Sequence, residues 1–243
     1  MKIVGYPLNG SFSGVYQLQA NGVNTSGNDS PAGIPGRLDI VDGVMRATVL
    51  STDAQTSLGH RSEIRAESNP VGEYWYTWEM LIPETWTSDI AMSVMQIHDT
   101  PDGGDNPRFP NFLLTVDGDS LVALVPSATL PTEGVNGTRV AVNKLVKGRW
   151  YELCLHVSWQ TTAIGFVELL IDREPLYKRF STPTHYADAS GPYLKLGVYD
   201  YYHIGSFAEK TAYFRNVSIW SGNDGYQQVL GGLPRSKKSL LMP

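Results

Sequence analysis

The sequence predicts an all-β protein, built as a two-sheet antiparallel β-sandwich of the β-jelly-roll type. Many short segments alternate apolar and polar side chains, which is the period-two pattern of strands that bury one face. The 24 Gly and 15 Pro residues are spread along the chain and mark frequent turns. No helical period appears between the strand-like segments. A chain of 243 residues is long enough to form one large β-domain of this kind.

The predicted strands follow one another between residues 37 and 220. Asp42-Gly43 is a strong hairpin signal between the first two strands, and residues 117–119 give a second hairpin signal further along the chain. The clearest alternation lies in residues 73–82, where aromatic and apolar side chains share one face. In chain order, the predicted strands cover residues 37–41, 44–50, 60–67, 73–82, 92–98, 112–116, 120–125, 139–142, 150–159, 165–172, 193–202 and 212–220.

We expect residues 1–222 to form a single domain, with residues 1–36 as its loop-rich N-terminal part. Residues 21–36 are rich in Gly, Asn, Ser and Pro, which predicts a long loop. Residues 223–243 contain several basic residues and predict a solvated C-terminal tail.

Charge and cysteine content narrow the possible function classes. The formal net charge of −5 disfavours nucleic acid as a partner, so any basic binding surface must be local. Cys154 is the single cysteine and lies in an apolar-alternating segment, which predicts a buried, unreactive thiol. The N-terminus shows no secretory signal pattern, and no segment approaches the roughly 20 apolar residues that span a bilayer. We therefore expect no membrane partner.

Three short strands carry the groups most able to do chemistry, and in each strand these groups share one face. The strands are residues 60–65, residues 96–98 and residues 193–199. Their shared-face side chains are Arg61, Glu63 and Arg65 in the first strand, Gln96 and His98 in the second, and Tyr193, Lys195 and Tyr199 in the third, with Gly197 among them. If the three faces lie side by side, they form a groove floor of guanidinium, ammonium, amide, imidazole and phenol groups. Such a floor suits an acidic sugar polymer.

The segments RSEIR, QIH and YLKLGVY, in this order, resemble the three signature strands of jelly-roll polysaccharide lyases. The resemblance is to the alginate lyases and the broader heparin-lyase-like group, whose fold is concanavalin A-like, and it covers about residues 37–220. One difference concerns the substrate. The alginate lyases usually continue the third motif with Asn-Gln, whereas here Asp200-Tyr201-Tyr202 follows Tyr199. Alginate or a glucuronan-like polymer therefore stays open as the substrate.

The resemblance implies a lyase that cleaves a uronic-acid-containing polysaccharide by β-elimination. His98 and Tyr199 would divide the roles of base and acid, in an order that the sequence leaves open, while Gln96 together with Arg61 or Arg65 would neutralise the substrate carboxylate. We expect Tyr199 to be un-ionised at rest, because an unperturbed phenol has a pKa of about 10, although the nearby Lys195 and Arg65 would favour its phenolate. The residues expected to bind substrate are Glu63, Arg65, Lys195, Tyr193, Tyr201 and His203. No metal is required in this scheme, and we expect an extracellular anionic polysaccharide as the partner of a monomeric protein.

Each of these patterns also has a structural interpretation. The two arginines and Glu63 are compatible with an ordinary cross-strand charge ladder, and the fold alone is compatible with a non-catalytic carbohydrate-binding module of the lectin or laminin-G-like kind. The strand pattern E-x-D-x-x-E of jelly-roll glycoside hydrolases is missing. Residues 99–106 are rich in oxygen ligands, which leaves a structural Ca²⁺ open, although their spacing does not match the twelve-residue calcium loop. We expect this segment to act instead as a flap beside the groove.

Overall fold

The computed structural model describes residues 2–6, 10–57, 59–105, 108–126, 137–222 and 225. Within these residues the chain forms sixteen strands that are arranged in two antiparallel sheets of eight strands each. The strands are β1 (Lys2–Tyr6), β2 (Gln17–Ala20), β3 (Val23–Thr25), β4 (Leu38–Val41), β5 (Val44–Val49), β6 (Arg61–Arg65), β7 (Gly72–Leu81), β8 (Met92–His98), β9 (Phe112–Asp117), β10 (Ser120–Pro126), β11 (Gly137–Lys144), β12 (Trp150–Trp159), β13 (Gly165–Ile171), β14 (Glu174–Thr182), β15 (Tyr193–Tyr199) and β16 (Lys210–Ser221).

The two sheets have different roles in placing the candidate site. The front sheet has the strand order β11-β10-β9-β8-β15-β6-β2-β3, so the three strands with polar faces, β8, β15 and β6, are direct neighbours within it. The back sheet has the order β14-β13-β12-β7-β16-β5-β4, and β1 pairs with β16. The predicted two-sheet antiparallel sandwich is therefore confirmed.

The hydrophobic core lies between the sheets and follows the period-two pattern of the sequence. On β7 of the back sheet, Tyr76, Trp78 and Met80 are fully buried. On β15 of the front sheet, Leu194 and Leu196 point into the same core, which leaves the polar side chains of β15 on the opposite face. Burial of this apolar surface stabilises the sandwich by about 25 cal/mol per Å².

Most predicted strands agree with the structure, and the strands that were not predicted are β1, β2, β3 and β14. The predicted bounds of β8 and β12 are the observed ones. However, the sequence pattern predicts no strand over residues 174–182, where the structure has β14. It is a largely exposed edge strand that begins Glu174-Pro175, so it lacks the clean alternation that one buried face produces.

The prediction of a long loop over residues 21–36 is wrong in part, because β3 lies inside that range. This strand forms one edge of the front sheet. The N-terminal part also contains β1 and β2. Nearly all of the predicted tail, residues 223–243, lies outside the described residues. No helix in the described part of the chain is long and apolar enough to cross a membrane.

Candidate active site

Strand pairing brings the three predicted polar faces together. Because β15 is antiparallel to both of its neighbours, its alternate side chains meet those of β6 on one side and those of β8 on the other. The cross-strand partners are Tyr199 with Arg61, Lys195 with both Arg65 and Gln96, and Tyr193 with His98. The sequence-predicted faces therefore form one continuous surface.

This surface is the floor of a groove with a volume of about 610 Å³. Nine of the ten sequence-predicted site residues line it, and only Glu63 does not. The lining residues are Gln17, Gln19, Asn24, Ser57, Arg61, Arg65, Gln96, His98, Arg108, Tyr193, Lys195, Tyr199, Tyr201 and His203. Among these described lining residues four side chains are cationic and none is a carboxylate, so the groove is locally basic although the chain is acidic.

Glu63 differs from the expectation that it binds substrate. Its side chain is fully buried beneath the groove floor. The Glu63 carboxylate accepts hydrogen bonds from Gln96 Nε2 at 2.6 Å, from Lys195 Nζ at 3.1 Å and from Arg61 at 3.3 Å. Glu63 therefore orients three groove residues from below, and the carboxylate is already saturated by partners of the protein itself.

The buried Lys195 depends on this carboxylate for its charge. Lys195 is 6% exposed, and its burial lowers the pKa of its ammonium group to about 8, although Glu63 acts in the opposite direction. Gln96 has one amide N–H committed to Glu63 and a second N–H left for a ligand. The centre of the groove thus presents an ammonium and an amide donor side by side.

His98 lies at one end of this centre with a fixed tautomer. Its Nδ1 lies 2.7 Å from the carbonyl oxygen of Asp99, and because a carbonyl only accepts, Nδ1 carries the hydrogen. In the neutral imidazole, Nε2 is then the unprotonated nitrogen, which is the form that a general base needs. His98 lines the groove, and its ring stacks against Tyr193 with centroids 6.0 Å apart.

A buried pair of acids lies behind His98. The Asp99 carboxylate is 3.5 Å from His98 Nδ1 and is almost fully buried. Burial and the neighbouring Asp99 raise the pKa of Asp188 to about 6. Arg108 donates hydrogen bonds to Asp188 at 2.9 Å and to Asp105 at 2.7 Å. Asp188, Asp105 and Arg108 thus form a rigid support next to the predicted base.

Tyr199 lies at the other end of the groove centre, and its partner differs from the predicted one. The guanidinium carbon of Arg61 lies 3.8 Å from the centre of the Tyr199 ring, whereas that of Arg65 lies over the Tyr193 ring at 3.9 Å. Burial raises the pKa of Tyr199 above its usual value, and Arg61 only opposes this effect. The expectation that Lys195 and Arg65 favour the phenolate is therefore wrong. Tyr199 is a protonated phenol at neutral pH.

The remaining predicted residues, Tyr201 and His203, lie beyond the end of β15 and line the groove. The Tyr201 ring packs edge-on against Tyr199 and Phe109, with centroids 5.9 Å and 5.6 Å apart. His203 Nε2 lies 3.5 Å from the hydroxyl oxygen of Tyr199. The structure thus places both residues at the Tyr199 end of the groove.

Sequence reasoning missed five lining residues. Gln17 and Gln19 belong to β2 and Asn24 belongs to the edge strand β3, and neither segment was predicted as a strand. Ser57 and Arg108 lie in loops, where no periodicity points to a face. Arg108 follows the acidic segment 99–105, and that charge pattern was the one available signal for it.

The acidic side chains after His98 are engaged with the protein itself. Asp102 accepts a hydrogen bond from the backbone N–H of Ala189 at 3.1 Å, and Asp105 bonds Arg108. Among the described residues, no group of three or more His, Cys, Asp or Glu side chains is placed to hold a metal ion. That the protein needs no cofactor stays a prediction, and residue 106 of the predicted flap lies outside the described residues.

Solved structures with a similar fold define the structural class. An endo-β-1,4-glucuronan lyase from the fungus Trichoderma reesei superposes with a TM-score of 0.70 and 15% identity, covering 91% of this chain and 96% of that one. An alginate lyase from Pseudomonas aeruginosa gives a TM-score of 0.65 and 16% identity, covering 86% and 99%. Alginate lyase A1-II′, of polysaccharide lyase family 7, gives 0.65 and 17%, covering 86% and 95%. The chain therefore has the jelly-roll fold of these lyases.

The sequence itself identifies the family. The model of a family described as polysaccharide lyase matches residues 10–218, which is most of the chain. The protein therefore belongs to this polysaccharide lyase family and is an enzyme of the lyase class. No curated protein sequence gives a significant match.

Proposed function

We propose that this lyase cleaves a uronic-acid-containing anionic polysaccharide by β-elimination. The observation that carries the proposal is the lining of the groove, in which the described residues include four cationic side chains and no carboxylate. A polyanion is attracted to such a groove. Hydrolysis would need two carboxylates that flank the scissile bond, and the described lining offers none.

The geometry of the groove centre supports this chemistry. A sugar ring placed over Gln96 has His98 on one side along β8 and Tyr199 on the other side along β15. Arg61 and the free amide N–H of Gln96 neutralise the substrate carboxylate, because a planar guanidinium and an amide N–H both match its oxygens. Negative charge that develops on the carboxylate during proton removal is then stabilised.

The tautomer of His98 and the protonated phenol of Tyr199 assign one proton transfer to each residue. His98 Nε2 removes the proton from C5, since its neighbour Nδ1 already donates to the Asp99 carbonyl. Tyr199 donates its proton to the glycosidic oxygen that leaves from C4, since burial keeps the phenol protonated. A C4–C5 double bond forms and no water is consumed.

A polymer screen with two site variants tests the proposal. Alginate, glucuronan, hyaluronan, heparin-type and bacterial capsular polymers are incubated with the protein, and the ultraviolet absorbance of the unsaturated product is followed. We expect His98→Ala and Tyr199→Phe to lower the rate on the cleaved polymer by about 10²–10⁴-fold, as is usual when a proton-transfer group is lost. Tyr213→Phe, a tyrosine of the back sheet outside the groove, is the matched control and keeps the wild-type rate.

Other results would contradict the proposal in distinct ways. New reducing ends without new ultraviolet absorbance would indicate hydrolysis. Binding of an acidic polymer without any cleavage would indicate a carbohydrate-binding module. Unchanged turnover in both site variants would contradict the assignment of His98 and Tyr199.

A further inference from the structure

The loop that follows β15 is held in one conformation by a buried carboxylate. Asp200 is fully buried, and its two carboxylate oxygens accept hydrogen bonds from the backbone N–H groups of Ile204 at 3.1 Å and Gly205 at 2.8 Å. The backbone N–H of His203 donates to the Asp200 carbonyl at 3.2 Å. His203 itself has a φ of 54°, a left-handed conformation that few residues other than glycine adopt. The loop therefore holds His203 in a conformation that its own backbone disfavours.

The result of this arrangement is a contact between His203 and Tyr199. Nε2 of His203 lies 3.5 Å from the hydroxyl oxygen of Tyr199. A Cβ atom at Gly59 would lie 2.5 Å from Tyr199 Cε2 and 3.3 Å from the His203 ring, so position 59 leaves room for both rings. Two separate features, the Asp200 carboxylate and the missing side chain at Gly59, therefore hold the two rings together.

The two rings differ in their access to solvent. Tyr199 is 7% exposed, while His203 is an exposed residue at the rim of the groove. A phenol that gives its proton to a leaving oxygen must recover a proton before the next turnover. An imidazole is suited to this task, because its ring nitrogens can both donate and accept a proton.

We propose that His203 relays protons between solvent and the hydroxyl group of Tyr199. The inference rests on the proposed elimination. When Tyr199 has given its proton to the departing glycosidic oxygen, the phenolate takes the hydrogen from Nε2 of the His203 imidazolium, and neutral His203 then takes a proton from solvent water. Bonds and charges balance over the cycle, because the proton that His98 removes from C5 returns to solvent in the same turnover.

The surroundings of the pair are compatible with this transfer. Arg61 faces the Tyr199 ring and stabilises the transient phenolate. Glu63 and Asp200 lie near enough to oppose that charge, and Tyr201 packs edge-on against Tyr199. His203 acts through Tyr199, so it is a positioning and relay residue and not a catalytic one.

Kinetics of two His203 variants test the relay. His203→Ala opens a space beside Tyr199, and His203→Gln keeps a polar side chain that cannot carry a proton. We expect both variants to lower kcat on the order of 10²-fold, the lower end of the loss for a proton-transfer group, with an unchanged KM. Added imidazole should restore much of the kcat of His203→Ala, because the site is open to solvent, and should not restore Tyr199→Phe. Tyr202→Ala, an exposed neighbour in the same loop, is the control and should keep the wild-type kcat.

Several outcomes would overturn the relay. An unchanged kcat in His203→Ala, or a loss that imidazole does not reduce, contradicts proton transfer through this residue. A higher KM with an unchanged kcat would make His203 a substrate-binding residue instead. If the wild-type protein forms unsaturated product while His203→Ala is unaffected, the relay alone fails. If the wild-type protein forms none on any polymer, the proposed function fails and the relay fails with it.

Discussion

Replacing Glu63 by Gln should destabilise the fold strongly, although the change removes a single charge. The variant leaves the ammonium of Lys195 buried without its carboxylate partner. The pKa of Lys195 is already about 8 against an ordinary 10.5, so the charged form costs about 3 kcal/mol of folding free energy at neutral pH even with Glu63 in place. Removing one partner of a buried ion pair typically costs a further 3–5 kcal/mol or so.

The lowered pKa of Lys195 determines whether stability rises or falls with pH. The folded protein releases the Lys195 proton at a lower pH than the unfolded chain does, so between about pH 8 and 10.5 the unfolded chain binds more protons. Stability therefore rises with pH across this window. In Glu63→Gln the pKa of Lys195 falls further, because the carboxylate that raised it is lost, and the rise in stability begins at a lower pH.

Urea unfolding followed by tryptophan fluorescence, at about pH 7 and about pH 9, measures both effects. We expect Glu63→Gln to lose about 3–5 kcal/mol at the lower pH and to recover part of this loss at the higher pH. Adding Lys195→Met to Glu63→Gln should remove the recovery. The control is Glu152→Gln, whose partner Arg173 and own side chain are about half exposed, and it should change stability by less than about 1 kcal/mol. A loss below about 1 kcal/mol for Glu63→Gln, with no pH dependence, would refute the reasoning.

Two further predictions concern the same region. Gly197→Ala should lower stability by about 1–3 kcal/mol or more and abolish activity, because its Cβ would lie 2.0 Å from the Ser62 carbonyl oxygen on β6. Urea unfolding measures the loss of stability. The control is Gly103→Ala, whose Cβ would meet no atom within 4 Å and which should leave stability unchanged. In the wild-type protein the pKa of Asp188 is raised to about 6, so its contribution to the stability of the fold is lost as pH rises from about 4 to about 6. Asp188→Asn should remove this fall in stability. An unchanged pH profile of urea unfolding would contradict this.

The sequence predicted the faces of the site strands because a strand has an exact two-residue period. Once β6, β8 and β15 are recognised, Arg61, His98 and Tyr199 must each lie on the face opposite the apolar residues of the same strand. What local pattern does not supply is the order β8-β15-β6, which joins segments that are far apart in the chain. The resemblance to known lyases supplied that adjacency. The edge strands β3 and β14 bury little, and β2 has only four residues, so these strands carried too weak a pattern to be found.

The sequence pattern does not predict how deeply a side chain is buried below the groove surface. Glu63 and Arg61 lie on the same face of one strand, yet Glu63 is covered from above while Arg61 lines the groove. The difference arises because the longer side chains of Arg61, Gln96 and Lys195 extend over the shorter carboxylate and close around it. Strand parity fixes only the direction of a side chain, whereas its depth depends on the lengths of its neighbours on other strands.

The same limit applies to the pKa of Tyr199: the expectation of an un-ionised phenol agrees with the structure, whereas the expected effect of Lys195 and Arg65 does not. From the sequence, nearby cations are visible and burial is not, so electrostatic attraction alone favours the phenolate. In the structure the desolvation of a nearly buried phenol outweighs the one guanidinium that lies over its ring. A phenol that stays protonated supports the proposed division of roles, in which Tyr199 donates the proton to the leaving oxygen and His98 acts as the base.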